Sequence, residues 1–293
     1  MILVTGSQGL IGKELVKRIG IDRSILVDVR LQKSATGCLD IRSKQLKNLI
    51  KKASGIVHLA AVSRVVDAEN NPNLCWDVNA TGTSQLLQWC FESNNKPWFI
   101  YASSREVYGQ QNKFPVHEDA SYKPVNIYAR SKVAAEEAVK AYKQKGLKTS
   151  IVRFSSVYGR ENDHKTRVIP AFCLAALQNN SLIVNGTRIV LDFTHVTDVV
   201  KGIISCIKMH ESGQTLPPIH FVSNNGINLS EVASQIIKLA KSQSKIIYDT
   251  PRNFDVGQFV GSNERAYNLL GWKPTVSFDD GIKDLLHRLE YNL

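Results

Sequence analysis

The chain lacks any run of about 18 uninterrupted apolar residues, the minimum a membrane-spanning helix needs. It lacks a CxxC pair, and its five cysteines (Cys38, Cys75, Cys90, Cys173, Cys206) are scattered and odd in number. That disfavours a disulfide framework and a zinc site, and free thiols in a reducing, cytoplasmic compartment are expected. No signal peptide is expected, because the first residues already read as core strand. Internal repeats and low-complexity linkers are absent. Acidic residues are in deficit, 26 against 37 lysines and arginines, for a net charge of +11. The lysines are dispersed with no aromatic-interleaved block. The charge therefore suits a small anionic ligand better than nucleic acid. What is present is 43% apolar residues over 293 positions. That suffices for one large α/β domain with a subsidiary lobe.

The first twenty residues carry the strongest local pattern. Met1-Ile2-Leu3-Val4-Thr5 is a short apolar run leading straight into Gly6-x-x-Gly9-x-x-Gly12. Leu10, Ile11, Leu15, Val16 and Ile19 then follow at helical spacing. Strand, glycine turn and helix in that order let a backbone approach a pyrophosphate at a helix N-terminus. A second strand, Ile25-Leu26-Val27, ends in Asp28. Asp40-Ile41 falls where an adenine ring lies in a dinucleotide fold. The third strand, Gly55 to His58, exits through Ala60-Ala61, small residues that leave room for a ligand. His58 is read as a strand-end polar group with no chemistry. A long helix is expected from Pro72 to about Ser93, with Asn79 and Gly82-Thr83 interrupting its apolar face.

The fourth strand, Pro97 to Ala102, ends in Ser103-Ser104-Arg105-Glu106. Tyr128 and Lys132 are four apart at the start of a helix and share one face. In isolation such a pair reads as surface packing. Beside the glycine turn and Ser104 it reads as catalytic, because a nearby ammonium favours the phenolate. The fifth strand spans Lys148 to Arg153. Beyond it, Val168 to Gln178 reads as a helix, and Asn185-Gly186 as a hairpin turn between two strands. Thr197-Asp198 reads as the cap of a helix ending near Met209. Asp192, His195 and Asp198 straddle a strand end and a helix start with no supporting His or Cys cluster, so no metal is expected.

These motifs resemble the extended short-chain dehydrogenase/reductase family, in its NAD-dependent epimerase/dehydratase branch acting on nucleotide sugars. The likeness rests on the three glycines, His58-Leu59-Ala60-Ala61, Asn79 with Gly82-Thr83, and Ser104 with Val107-Tyr108-Gly109. It rests also on Tyr128-x-x-x-Lys132, Asp192-Phe193-x-His195-Val196-x-Asp198 and Leu270-Gly271-Trp272-x-Pro274. It implies a Rossmann-type, doubly wound parallel sheet with a smaller C-terminal α/β substrate-binding lobe. Residues 1–160 would form the NAD-binding domain, with 188–223 returning to it; 161–187 and 224–293 would form the lobe. NAD would lie on Gly6, Gly9, Gly12, Asp28, Asp40, Ile41, Ala60, Tyr128 and Lys132. NAD is favoured over NADP because an acid at position 28 repels a 2′-phosphate, although Arg30 tolerates one. Tyr128 would remove the sugar hydroxyl proton, with Ser104 on the same oxygen. Ser63, Ser104, Ser156 and Arg252 would touch a UDP- or dTDP-sugar. A homodimer through the helix after Gly82 and the Tyr128 helix is implied.

Three departures from the family pattern concern the sugar. Leu191 stands where an arginine is usual, and Ser156 where an asparagine is usual. Arg105 stands where the dehydratases carry an acid, and a guanidinium is a poor proton donor at neutral pH. A 4-epimerase is therefore the leading expectation. A 4,6-dehydratase or uronate decarboxylase using Glu106, and a non-catalytic dinucleotide-binding protein, are the alternatives.

Overall fold

The structure, a computed structural model, describes residues 1–252 and 254–291. Ile2–Thr5 (β1), buried throughout, leads to α1 (Leu10–Ile19), β2 (Ser24–Val27), α2 (Leu46–Ile50) and β3 (Gly55–His58). Next come α3 (Val65–Asn70), α4 (Pro72–Trp76) and α5 (Thr83–Glu92), with a π-helical turn Asp77–Gly82 joining the last two. β4 (Trp98–Ser104) runs into a 3₁₀ turn, Arg105–Tyr108, followed by α6 (Ile127–Gln144) and β5 (Thr149–Phe154). The remainder is β6 (Ser156–Tyr158), α7 (Val168–Leu177), β7 (Leu182–Asn185), β8 (Val190–His195), α8 (Val196–Glu211) and β9 (Ile219–Phe221). β10 (Gly226–Asn228), α9 (Leu229–Leu239), β11 (Ile246–Asp249), α10 (Glu264–Leu270) and α11 (Phe278–Glu290) complete it.

The chain divides into two units. The first comprises Met1–Gly109, Ser121–Arg153 and Val200–Ile219; the second comprises Gln110–Ala120, Phe154–Val199 and the described chain from His220 onward. The segment 188–223 thus divides between them. Its part in β8 belongs to the second unit because that strand pairs with β6 and β10 there.

A six-stranded sheet in the order β2-β1-β3-β4-β5-β9 organises the first unit. β1 pairs in parallel with β2 and β3, and β3 with β4. Thr5 lies opposite His58, and His58 opposite Tyr101. The carboxyl ends of three strands are therefore level, and Gly6, Ala60 and the Ala102 to Ser104 stretch share one edge. That edge, at the switch point between β1 and β3, is where open α/β sheets bind ligands. Strands buried on both faces read as continuous apolar runs, and β4 is buried over its first six residues. Each fully buried residue such as Leu3, Ile56 or Phe99 stabilises the unit by about 1.5–3 kcal/mol relative to exposure.

A buried ion pair locks α6 onto β5. Arg153 donates to both oxygens of Glu136, at 2.9 and 2.7 Å, and also to the hydroxyls of Tyr108 and Tyr122. Burial works against the Glu136 charge, but the Arg153 hydrogen bonds outweigh it and hold the carboxyl below its ordinary range. Removing one partner of such a pair costs about 3–5 kcal/mol.

The second unit has a three-stranded sheet β10-β8-β6 and a two-stranded sheet β11-β7. The hairpin expected at Asn185-Gly186 does not form. β7 pairs in parallel with β11 through Ile246 opposite Leu182, whereas β8 pairs with β10 and β6. Thr197-Asp198 is not a cap either, since α8 already begins at Val196. The buried Asp198 carboxylate instead accepts from Thr275 N at 2.8 Å, Thr275 Oγ1 at 2.7 Å and Val276 N at 2.9 Å. Trp272 Nε1 donates to the Asp198 carbonyl at 2.8 Å. The Gly271-Trp272-x-Pro274 motif is therefore an anchor for the tail.

Candidate active site

The glycine turn is built as a close backbone approach. A Cβ on Gly12 would fall 2.2 Å from the Gly6 carbonyl oxygen, and one on Gly6 would fall 2.7 Å from Ala60 N. Gly9 is the N-cap of α1 and brings no side chain to cap that helix. The turn thus presents backbone donors and no side-chain bulk, which is what a pyrophosphate requires.

Asp28 ends β2, and each of its oxygens accepts two hydrogen bonds. Oδ2 takes Gln8 N at 2.9 Å and Arg30 Nη2 at 3.0 Å; Oδ1 takes Arg30 N at 2.9 Å and Nε at 3.0 Å. Burial alone would raise its pKa, but the Arg30 and Gln8 donors lower it below the ordinary value. A ribose diol at Asp28 would have to displace the Arg30 guanidinium, whose side chain is 59% exposed while that of Asp28 is 4% exposed. Asp40 pairs with Arg42 at 2.7 Å near the surface. Ile41 lies in the core of the unit with Leu46, Leu49 and Leu86. Its Cδ1 is 3.0 Å from where a Cβ of Gly82 would sit, which explains a glycine within that helical stretch.

His58 holds the sheet edge together. Its ring nitrogens bond Thr5 Oγ1 at 2.6 Å and Thr83 Oγ1 at 2.9 Å. Burial, then the Lys132 charge, drives it down to about 3, so it is neutral. Thr5 Oγ1 also accepts from the N–H of Leu59 and Ala60. Thr83 Oγ1 donates to the Asn79 carbonyl at 2.7 Å, inside the π turn that sequence reasoning missed. Such turns concentrate at functional sites. The Asn79 side chain bonds both Val62 N and Val62 O, and donates to Ser131 Oγ at 3.1 Å. Ser131 Oγ donates in turn to the Tyr128 carbonyl at 2.7 Å. A hydrogen-bonded chain therefore runs from the end of β1 to the residue expected to do the chemistry.

Tyr128 lies in the first turn of α6, buried among Ala68, Cys75, Val65 and Ile127. Lys132, one turn on, donates to the Ala102 carbonyl at 2.8 Å. Its ammonium lies 4.9 Å from the Tyr101 ring centre and 5.8 Å from that of Tyr128. The Ala102 bond holds the Tyr128–Lys132 face of α6 against the end of β4, two residues from Ser104. Burial lowers the Lys132 pKa to about 8, with Cys75 and Glu136 opposing the shift. Activity that needs the ammonium is therefore expected to fall as pH rises through about 8. A kcat/KM profile checks this, and a flat profile from pH 7 to 10 would contradict it.

Ser104 accepts from Glu106 N at 3.2 Å. Ser63 is an exposed loop residue of the first unit. In the second unit, Ser156 opens β6, and Arg252 is held by Asp255 at 2.8 Å with its guanidinium 5.6 Å from the Phe254 ring centre. Leu191 packs in that unit's core with Ile189, Phe193 and Leu229. Its side chain serves packing, so an arginine there would not be a like-for-like exchange. Among the described residues no three His, Cys, Asp or Glu side chains converge for a metal. Buried Asp192 is taken up by Ser155, Ser223 and Asn224 donors at 2.8–3.0 Å.

A model of the NAD dependent epimerase/dehydratase family matches residues 2–221. The chain belongs to that family. Among its relatives is a putative UDP-glucose 4-epimerase of Methanocaldococcus jannaschii, 29% identical over 317 positions spanning 100% of this chain and 99% of the relative. Another is UDP-glucuronate 4-epimerase 4 of Arabidopsis thaliana, 29% identical over 96% of this chain and 73% of the relative. The fold is that of the UDP-glucuronic acid 4-epimerase of Bacillus cereus, solved with UDP-glucuronic acid and NAD. The TM-score is 0.89 at 21% identity, covering 100% of this chain and 99% of that one.

Proposed function

We propose that this chain is an NAD-dependent 4-epimerase of a UDP- or dTDP-hexose or hexuronate. The observation that carries it is the assembled Tyr128–Lys132 face, fixed to the end of β4 beside Ser104. The bare backbone cradle of Gly6, Gly9 and Gly12 fits a dinucleotide, with Asp28 placed for the ribose and Lys132 for the nicotinamide end. Bound NAD supplies a reversible hydride acceptor at sugar C4. Tyr128 takes the proton from the C4 hydroxyl and later returns it. Ser104 hydrogen-bonds the same oxygen. The Lys132 ammonium lowers the cost of the phenolate. Inversion needs no further acid or base, and Arg105 supplies none for loss of water. Within the first unit, Ser63 is assigned with Ser104 to the sugar nucleotide. The epimerase relatives support this reading, as does their agreement over nearly the whole chain. The five free cysteines, four of them buried, accord with a cytoplasmic setting, and a homodimer through α5 and α6 completes the proposal.

The test is product analysis by NMR after incubation with UDP-glucose, UDP-glucuronate, UDP-N-acetylglucosamine and dTDP-glucose. A C4-inverted sugar of unchanged mass is expected. Loss of water or of CO₂ would replace this reading with a lyase.

A further inference from the structure

We infer that Glu106 is a positioning residue that clamps the Ser104 strand end to the start of the Tyr128 helix, and that it transfers no proton. The inference rests on the catalytic roles proposed above for Ser104 and Tyr128. Its geometry involves only the first unit.

Glu106 sits in the 3₁₀ turn that follows Ser104, and its N–H donates to Ser104 Oγ at 3.2 Å. That bond orients the Ser104 hydroxyl. The Glu106 side chain is buried, and its two oxygens face two different protein donors. Arg105 Nη2 lies 2.8 Å from Oε1, with both side chains about one-tenth exposed. Asn126 Nδ2 donates to Oε2 at 3.1 Å. Asn126 is itself the N-cap of α6, where its Oδ1 accepts from Ala129 N at 2.7 Å and its carbonyl from Arg130 N at 3.0 Å. Tyr128 lies between the cap and those two amides. One carboxylate thus joins the Ser104 hydroxyl, through its own main chain, to the cap that sets where Tyr128 begins.

A general base needs a lone pair aimed at its substrate within hydrogen-bond reach. The donors that hold Glu106 aim its oxygens at Arg105 and Asn126. The same bonds fix the relative placement of two groups that must meet one sugar oxygen, and errors of about 1 Å in such placement can cost about 10²-fold in rate. Lys132 bonded to Ala102 also ties α6 to β4, beside the Glu106–Asn126 bond between the 3₁₀ turn and the helix cap. A dehydratase or decarboxylase route through Glu106 would have to break this tie.

Three single variants and one double variant test the clamp. Glu106→Gln keeps the side-chain shape and one acceptor, which can serve Asn126 but not Arg105 as well, and is expected to retain clearly more kcat than Glu106→Ala. Glu106→Ala is expected to lower kcat about tenfold or more with KM for the sugar nucleotide within about twofold. Asn126→Ser keeps a capping oxygen but cannot reach Glu106, and should show the same loss. The double variant Glu106→Ala/Asn126→Ser should be no worse than the poorer single one, because coupled residues do not add. Hydrogen exchange reports the same clamp without turnover. The Ala129 and Arg130 amides should exchange faster in Glu106→Ala than in wild type, with Glu106→Gln between the two. A Glu106→Gln enzyme as inactive as Glu106→Ala, or a lost limb in its pH profile, would make Glu106 a proton-transfer group and overturn the inference. So would unchanged amide exchange in Glu106→Ala, even if wild-type protein inverted no sugar. That last result in wild type, taken alone, would sink the epimerase reading and leave the exchange data to decide the clamp.

Discussion

Tyr128→Phe is expected to reduce turnover by about 10³-fold, within the range of about 10²–10⁴ for a positioned acid–base group. The substitution removes one oxygen and keeps the ring that packs against Ala68 and Cys75. The fold should be unchanged, and cofactor and sugar-nucleotide affinity should change by no more than one lost hydrogen bond, so the loss falls chiefly in kcat. Single-turnover NMR of C4 inversion, with substrate affinity by calorimetry, separates the two. A variant that keeps more than about a tenth of wild-type kcat would mean that another group takes the proton, and the mechanism would fail.

Gly12→Ala should be as damaging, for a steric reason. The added methyl meets the Gly6 carbonyl at 2.2 Å and Ser7 Cα at 2.8 Å, and both are backbone atoms that cannot rotate away. α1 has to move off the turn. Overpacking of this kind costs about 1–3 kcal/mol, or a fall in Tm of about 2–5 °C for a chain of this size. NAD affinity should fall by about 100-fold, because the amides of the turn would no longer converge on one phosphate pair. Gly9→Ala is the control, since its methyl would sit at 3.2 Å from the Gly6 oxygen and asks for a smaller shift. Calorimetric NAD titration of the two proteins checks the ranking, and equal affinities would refute it.

The parts of this site that were legible in sequence are those encoded at short range. A strand, three glycines at fixed spacing and a helical face carrying Tyr128 and Lys132 are each complete within a few residues. The fold class followed from the same local patterns. What sequence reasoning missed is tied across longer separations. Asn79 meets Ser131, 52 residues away, and Glu106 meets Asn126, 20 away, and neither pair leaves a periodic trace. The π turn had one cue, the adjoining Gly82 and Thr83. Ile41 was expected beside the adenine and Leu191 stands where an arginine is usual; the side chains of both pack in the cores of their units. A side chain's face in a short element is decided by what packs over it, and that is fixed elsewhere in the chain. The Asn185-Gly186 pair suggested a hairpin, but β7 and β8 found different partners, and local turn chemistry lost to tertiary pairing.

Burial of Lys132 has a thermodynamic side. Its pKa falls from 10.5 to about 8 on folding, so the folded chain holds its proton less tightly than the unfolded chain. Below about pH 8 both states carry the charge, and desolvation of the ammonium weighs against folding in full. Between about 8 and 10.5 the unfolded state binds more protons, and by linkage stability rises with pH. The range in which the fold is relieved of this burden is the range in which Tyr128 loses its cationic neighbour. Proton release at Lys132 therefore moves stability and turnover in opposite directions, and a poised ammonium is kept at the expense of a more stable protein.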